Sequence, residues 1–209
     1  MEKNFLAMNI AVIGKGDNAK LYAASLAQAG HEVYLGWKEE DDNLPQNVYE
    51  LFSNLSFCSI PEASAAADII FIVTEPEYVR EVAYWLGDVR GKMIVDASAN
   101  SGAGGQLNTV GAIKAITGSA NIVKIFFTYG YQQLLKPLLK SDKLHIVLMG
   151  EYRKAREATK IITRDFGVSS FIDLGGFDAI PLFDALIRCW RELDKNMSDQ
   201  SKGIAAVNS

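Results

Sequence analysis

Cysteine is scarce in this chain of 209 residues: Cys58 and Cys189 stand far apart, with no CxxC pair and no Cys/His cluster near either. That spacing excludes a disulfide framework and a zinc site, and both residues are expected as core thiols. Histidine is equally sparse, with His31 in the turn Ala29-Gly30-His31-Glu32-Val33 and His145 at the start of a strand. Both read as structural residues. Neither a Ser/His/Asp arrangement nor a metal-ligand cluster is present, so no metal site is assigned and hydrolytic chemistry has no support. No apolar run approaches the ~20 residues needed to span a bilayer. An excess of one charge is missing too: 21 basic against 25 acidic residues leave a net charge of -4. Without a broad positive field, nucleic acid and anionic membranes are disfavoured as partners. Met1 to Ala7, with one Lys, one Glu and a short apolar patch, do not form a secretory signal. A cytoplasmic protein is the expectation.

What the chain does have is an ordinary globular balance, 49% apolar and 22% charged. One domain over 1–209 is expected, with a core at 8–175, a C-terminal helical segment at 176–197 and a flexible tail at 198–209. Short β-branched runs alternate with segments of helical spacing, the pattern of βαβ units. Strands are read at Asn9 to Ile13, Glu32 to Leu35, Ile69 to Val73, Met93 to Val95, Ile122 to Ile125, His145 to Met149 and Ser169 to Ile172. Ala19, Ala23, Leu26 and Ala27 place small residues on one face of the first helix, which Gly30 ends. Further helices are expected from Pro61 to Ala67, Pro76 to Leu86 and Tyr152 to Phe166, the last ended by Gly167. After Pro181, the stripe Phe183, Leu186, Ile187, Trp190 and Leu193 forms an apolar helical face that packs on its own domain or makes a homodimer. The predicted architecture is a doubly wound, mainly parallel α/β sheet with helices on both faces and a C-terminal helix.

The segment Gly14-Lys15-Gly16-Asp17-Asn18-Ala19 follows the apolar strand Ile10-Ala11-Val12-Ile13 and opens the Ala-rich helix. That context lifts a weak GxGxxG-like signal to the fingerprint of a Rossmann dinucleotide-binding unit. Gly14 serves the tight turn, Gly16 removes a side chain where a pyrophosphate must approach, and Ala19 stays small enough for helix to meet strand. Free amides and the positive dipole end at the helix start attract phosphate. A tight βα turn without a ligand is the alternative. Asp17 puts a carboxylate in the same place and is expected to cap the helix backbone with its carboxylate turned aside.

An NAD site usually carries Asp or Glu at the end of the second strand, about 20 residues beyond the glycines. Here that place holds Gly36-Trp37-Lys38. Lys38, with Lys15 between the glycines, suits the 2′-phosphate of NADP(H), and Trp37 offers a flat face near the adenine. Glu39-Glu40-Asp41-Asp42 follow at once, as an alternative ribose ligand or a solvated loop.

With these residues in place, Met8 to about Met197 resembles the NADPH-dependent deazaflavin (coenzyme F420) reductases, the NADP oxidoreductase family. Gly36-Trp37-Lys38 stands where the family has a Gly-Ser-Arg-like triplet. Phe71-Ile72-Val73-Thr74-Glu75-Pro76 matches its strand and Pro turn under the nicotinamide half, and Gly91-Lys92-Met93-Ile94-Val95-Asp96 is similar to its "GKIVVD" strand. The resemblance implies that Thr74, Glu75, Pro76, Ala97 and Ser98 border the nicotinamide. Two departures concern the second substrate. Lys124-Ile125-Phe126-Phe127-Thr128 lacks the Asn of Lys-x-Phe-Asn-Thr, and Asp173 to Pro181 keeps Asp and Gly but not the Arg of Asp-x-Gly-x-Leu-x-x-Ala-Arg.

Hydride transfer between a nicotinamide and a flavin-like ring needs stacking and water exclusion more than an acid or base, so no catalytic side chain is assigned. Thr128, Tyr129 and Tyr131, after a strand at the ligand-binding edge, are read as a substrate wall or as core residues. The implied activity is an NADP(H)-dependent oxidoreductase acting on a flavin, deazaflavin or small organic substrate. The alternative is a non-catalytic NADP(H)-binding or redox-sensing module, motivated by the lost Asn and Arg. A pyrroline carboxylate reductase is disfavoured, because it needs a further helical dimerisation domain.

Overall fold

The computed structural model describes residues 7–37, 52–98, 108–127, 145–185 and 189. In chain order the strands are β1 (Asn9–Ile13), β2 (Glu32–Trp37), β3 (Leu55–Ser59), β4 (Ile69–Ile72), β5 (Met93–Asp96), β6 (Ile122–Phe127), β7 (His145–Met149) and β8 (Ser170–Asp173). The helices are α1 (Asp17–Gln28), α2 (Ile60–Ala66), α3 (Val79–Trp85), α4 (Thr109–Thr117) and α5 (Arg153–Thr163). The strands form one 8-stranded sheet in the order β3-β2-β1-β4-β5-β6-β7-β8. Every neighbouring pair is parallel except β6 with β7. The chain first winds outward from β1 to β3 and then restarts on the other side at β4. That reversal opens a crevice at the carboxyl ends of β1 and β4, where doubly wound sheets bind ligands.

Alternation along each strand explains why both faces are covered. Ile10 and Val12 join one core with Tyr22, Ala23 and Leu26 of α1 and Ile162 of α5. Ala11 and Ile13 join the opposite core with Ile60 and Ala63 of α2, Val79 and Val82 of α3, and Ile113 of α4. A strand buried on both faces reads as a continuous apolar run, as β4 (Ile69–Ile72) does, all four residues buried. Phe71 at its centre is fully buried with the Tyr22 ring edge-on at 5.9 Å. Truncating it to Ala removes about 3–5 kcal/mol of stability.

Local signals fix the element ends. Gly30, at φ +94°, supplies the left-handed turn after α1, and Asn54 donates to the carbonyls of Ala27 and His31. The buried His31 accepts from the Met8 amide at Nδ1 and sits 3.1 Å from Asp165 through Nε2, so it ties β1 to the turn after α5. Lys92 donates to the carbonyls of Ser64, Ala65 and Ala67 and closes the C-terminus of α2. Gly167 ends the turn after α5 at φ +80°, as its place in the sequence suggested.

The structure corrects the sequence reading in several places. Strand β3 was not expected: Leu55-Ser56-Phe57-Cys58-Ser59 contains no β-branched residue, and as an edge strand it leaves Phe57 exposed. Helix α4 was also missed, its interior interrupted by Gly111, although Asn108 caps it and Gly118 ends it in the left-handed region. The helix expected from Pro76 begins as a 3-10 turn, Pro76–Tyr78, before α3. Cys189 is exposed and Cys58 only half-buried, so neither is a fully buried core thiol. Of the C-terminal apolar stripe, Phe183 is 1% exposed and packs on Val147 and Met149 of its own sheet. Leu186, Ile187, Trp190 and Leu193 lie outside the described residues. Among the described residues no helix is long and apolar enough to cross a membrane.

Candidate functional site

The loop after β1 is held by contacts that leave no room for a side chain at its first glycine. A Cβ on Gly14 would stand 2.0 Å from the Val73 carbonyl oxygen and 2.9 Å from the Ala19 Cβ. The Gly14 amide donates to Gly36, and Val73 donates to Ile13, so the ends of β1, β2 and β4 are drawn together. Ala19 is fully buried at that contact, which explains why the third small residue is needed. Gly16 behaves oppositely: a Cβ there would meet nothing within 4 Å. It is the N-cap of α1, with ordinary extended angles and no side-chain hydrogen bond to the helix start.

Asp17 does not cap α1. It occupies the first turn, its side chain is 95% exposed, and it faces Lys20 at 3.6 Å. The Asp17 carboxylate turns outward to Lys20, so it leaves the amides of the first turn uncapped. The intermediate exposure of Asn18 leaves it at the rim of the same turn. Lys15 lies over the Trp37 ring, 5.6 Å from its centroid. That ring is only 8% exposed and belongs to the core on the α2 side, so the residue between the glycines meets the end of β2. Lys38 lies just outside the described residues.

The same edge continues through β4 and β5. Thr74 donates to Glu75 at 3.3 Å, and Pro76 is buried in the turn that follows. The Ala97 amide donates to Ile72, and Ala97 and Ser98 are both buried at the end of β5. Gly14 to Ala19, Trp37, Thr74 to Pro76, and Ala97 with Ser98 thus share the carboxyl edge of four adjacent strands. Thr128, Tyr129 and Tyr131 fall outside the described residues.

A buried charge network stands beside them. Asp96, fully buried at the end of β5, is matched across the ladder to Lys124 of β6. Lys124 Nζ donates to Asp96 Oδ2 at 2.9 Å and to Thr109 Oγ1 at 2.9 Å, and Thr109 donates its own proton to Asp96 Oδ2 at 2.5 Å. The Ser98 amide donates to Asp96 Oδ1 at 3.0 Å, as does its hydroxyl. Burial alone would raise the Asp96 carboxyl; the Lys124 charge and the hydrogen bonds outweigh it and hold the group below the usual carboxylate range. Sequence reasoning quoted both charged residues without pairing them. The signal was there: a charge inside Met93-Ile94-Val95-Asp96 and another inside Ile122-Val123-Lys124-Ile125, since buried charges need partners.

A doubly wound sheet, a glycine turn at its switch point and an uncapped helix start define the class of Rossmann dinucleotide-binding folds. Residues 9–100, which contain the turn and the ends of β1, β2, β4 and β5, match the family model of the coenzyme F420-dependent NADP oxidoreductases. No curated protein matches the chain. Among solved structures, a protein assigned as an F420-dependent NADP reductase, from Arthrobacter sp. FB24, superposes with a TM-score of 0.76 at 21% identity, over 91% of this chain and 95% of its own. A hypothetical protein from Sinorhizobium meliloti gives 0.67 at 21% identity, over 82% and 87%. An imine reductase from Myxococcus stipitatus, solved with NAD+, gives 0.64 at 15% identity, over 91% of this chain but 62% of its own. At these identities the likeness establishes the fold.

Proposed function

We propose that the chain is an oxidoreductase working with NADP(H), the bound nicotinamide supplying hydride exchange with a flavin, deazaflavin or small organic partner. The observation that carries this reading is the start of α1: a side chain at Gly16 would meet nothing within 4 Å, and among the described residues no side chain caps the helix. Amides at such a terminus, with the positive end of the helix dipole, bind a pyrophosphate. Gly14, Ala19 and Asn18 shape the turn around it. Lys15 and Lys38 supply cations for the 2′-phosphate, with Trp37 beneath Lys15, and among the described residues the end of β2, Leu35-Gly36-Trp37, carries no carboxylate where NAD sites have one. Thr74, Glu75, Pro76, Ala97 and Ser98 border the nicotinamide half, and the family match over 9–100 supports the same reading. Thr128, Tyr129 and Tyr131, which follow β6 in sequence, are the proposed contacts of the second substrate, the other reading being core residues.

Calorimetric titration of the pure protein with NADPH and NADH tests the proposal, followed by NADPH oxidation with a panel of flavins and deazaflavins. Tighter uptake of NADPH is expected. Absence of binding by either coenzyme at millimolar concentration would refute it.

A further inference from the structure

A groove of about 710 Å³ opens at the edge of the sheet opposite the glycine turn. Arg90 precedes β5, Ser119 and Asn121 precede β6, and Tyr152, Arg153 and Lys154 follow β7, which runs antiparallel to β6, so all of them reach that edge. Each lies inside a described stretch of chain. The lining holds three cations and no carboxylate. Asp88 takes Nε and Nη2 of Arg90 at 2.9 and 2.8 Å and neutralises it, which leaves Arg153 and Lys154 as the source of net charge. The nearby carboxylates are engaged: Glu151 accepts from the Phe177 amide at 3.3 Å, and Glu157, one turn beyond Arg153, accepts from Lys160 at 2.9 Å.

Two kinds of donor in this groove lack an acceptor among the described residues. The first turn of α5 is uncapped: Tyr152 at the N-cap makes no side-chain hydrogen bond to it, and the first amide to reach a helical carbonyl is that of Arg156, which donates to Tyr152. The amides of Arg153, Lys154 and Ala155 are therefore spare at the positive end of the helix dipole. The second donor is independent of the helix. Ser119 is 3% exposed; its oxygen accepts from the Asn121 amide at 3.3 Å, and its own proton goes to no group among the described residues. A buried hydroxyl in that state is completed by an acceptor within the groove it lines.

We propose that this groove binds the phosphate group of a small organic phosphate, at a site separate from the dinucleotide loop. Its charged groups are all cations, and its donors outnumber what the two oxygens of a carboxylate take up. A phosphate monoester brings three acceptor oxygens and about 1.5 to 2 negative charges at neutral pH. Arg153 and Lys154 supply the attraction, and the α5 amides with the Ser119 hydroxyl supply the directed bonds. The volume falls in the range of small-molecule sites, roughly 300–1,000 Å³, so the phosphate arrives on a larger body. Tyr152, 52% exposed, gives that body an aromatic face. The site stands whether or not the protein turns over NADPH.

The probe is phenyl phosphate, with benzoate and phenol as carboxylate and neutral controls, titrated at fixed ionic strength by calorimetry and ligand-observed NMR, with and without saturating NADPH. Phenyl phosphate is expected to bind saturably with a Kd on the order of millimolar, at least about fivefold tighter than benzoate, and equally well beside NADPH. Phenol should not saturate. Ser119→Ala should weaken phenyl phosphate at least about tenfold, and Arg153→Ala/Lys154→Ala by a similar factor, each with the circular dichroism of the wild type. Diffuse surface charge behaves differently: binding lost in the double variant but indifferent to Ser119→Ala overturns the site. Displacement of phenyl phosphate by NADPH assigns it to the dinucleotide loop and overturns the proposal, as does benzoate binding as tight as the phosphate. Absence of saturable phenyl phosphate binding in a protein that takes up NADPH overturns the site and leaves the cofactor reading standing. Phenyl phosphate binding that depends on Ser119, in a protein that takes up neither coenzyme, does the reverse.

Discussion

Adding one methyl group at Gly14 and three carbons at Gly16 should give opposite results, because the structure assigns the two glycines different work. At Gly14 the new Cβ meets the Val73 carbonyl oxygen at 2.0 Å and the Val73 carbonyl carbon at 3.0 Å, both backbone atoms of the segment ending β4. Backbone cannot swing aside as a side-chain tip can, so β1 and β4 must part. Overpacking of this kind costs about 1–3 kcal/mol, and the Gly14 to Gly36 and Val73 to Ile13 hydrogen bonds add about 1 kcal/mol each if they stretch. Gly14→Ala is therefore expected to lose roughly 3–5 kcal/mol, a large part of the 5–15 kcal/mol typical of a domain. At Gly16 the side chain enters open space at unstrained angles. There Gly16→Val forfeits about 0.5–1 kcal/mol as a poorer cap and regains about 0.4–1 kcal/mol by restricting the unfolded chain. Its stability should be unchanged within error, while its branched side chain displaces phosphate from at least two amides worth about 1.5–3 kcal/mol each. NADPH affinity then falls about a hundred- to ten-thousand-fold. Urea denaturation and calorimetry on the two variants read both quantities. Wild-type stability in Gly14→Ala, or NADPH affinity within threefold of wild type in Gly16→Val, would refute the assignment.

Lys38→Ala should weaken NADPH at least about tenfold and leave NADH unchanged, since one charge-assisted contact to the 2′-phosphate is worth about 1.5–3 kcal/mol; equal loss for both coenzymes in calorimetry removes that contact. Lys124→Met leaves Asp96 buried without its cation and should cost about 3–5 kcal/mol in denaturant, most of it recovered by adding Asp96→Asn. Because the folded state holds the Asp96 carboxyl below its unfolded value, the stability it contributes is present above about pH 3.9 and lost as the pH falls through its folded pKa. Acid unfolding followed by circular dichroism should show a shallower loss below pH 4 in the double variant than in wild type. Asp173→Asn breaks ion pairs to Arg156 and Lys160, both at 2.8 Å, but the carboxylate is 24% exposed, so about 1 kcal/mol is expected and less at high salt.

The inner half of the fold was legible because its information is local. The apolar run of β1, the glycine turn and the small-residue face of α1 are contiguous in sequence, so their pattern is readable even though the contacts that require it reach Gly36 and Val73. The edge strand β3 and the helix α4 were not legible for the opposite reason. Leu55–Ser59 becomes a strand only by pairing in parallel with β2, and its own composition carries no β-branched signal. Ser59-Ile60-Pro61-Glu62 did contain a readable start for α2: Ser59 accepts from the Glu62 amide while Glu62 accepts from Ser59, a capping box one residue before the expected helix. Asp17 was misread because its role depends on where the helix begins. One residue earlier it would have been the cap.

The charged residues shared with the F420-dependent pattern turn out to hold each other. Lys124, from the segment that keeps Lys and loses Asn, pairs with Asp96 of the segment similar to "GKIVVD"; Asp173, from the segment that keeps Asp and loses Arg, pairs with Arg156 and Lys160 of α5. No spacing rule links residues 28 apart in sequence; the strand register does, by setting Asp96 opposite Lys124. Phe127, which stands where the pattern has Asn, has an equally physical role. Phe127 is 5% exposed in the core on the α1 side of the sheet, with the Tyr22 ring edge-on at 5.6 Å. Where the pattern has a polar residue this chain has packing, so among the described residues that face of the β6 end presents no hydrogen-bonding side chain. Polar chemistry on β6 is left to the opposite face, where Lys124 pairs with Asp96. Phe127→Asn should destabilise the chain by about 3 kcal/mol or more, through a cavity beside Tyr22 and a buried amide, without conferring activity toward a deazaflavin. Gain of deazaflavin-dependent NADPH oxidation in that variant would show that the α1 face, not the Lys124 face, receives the substrate.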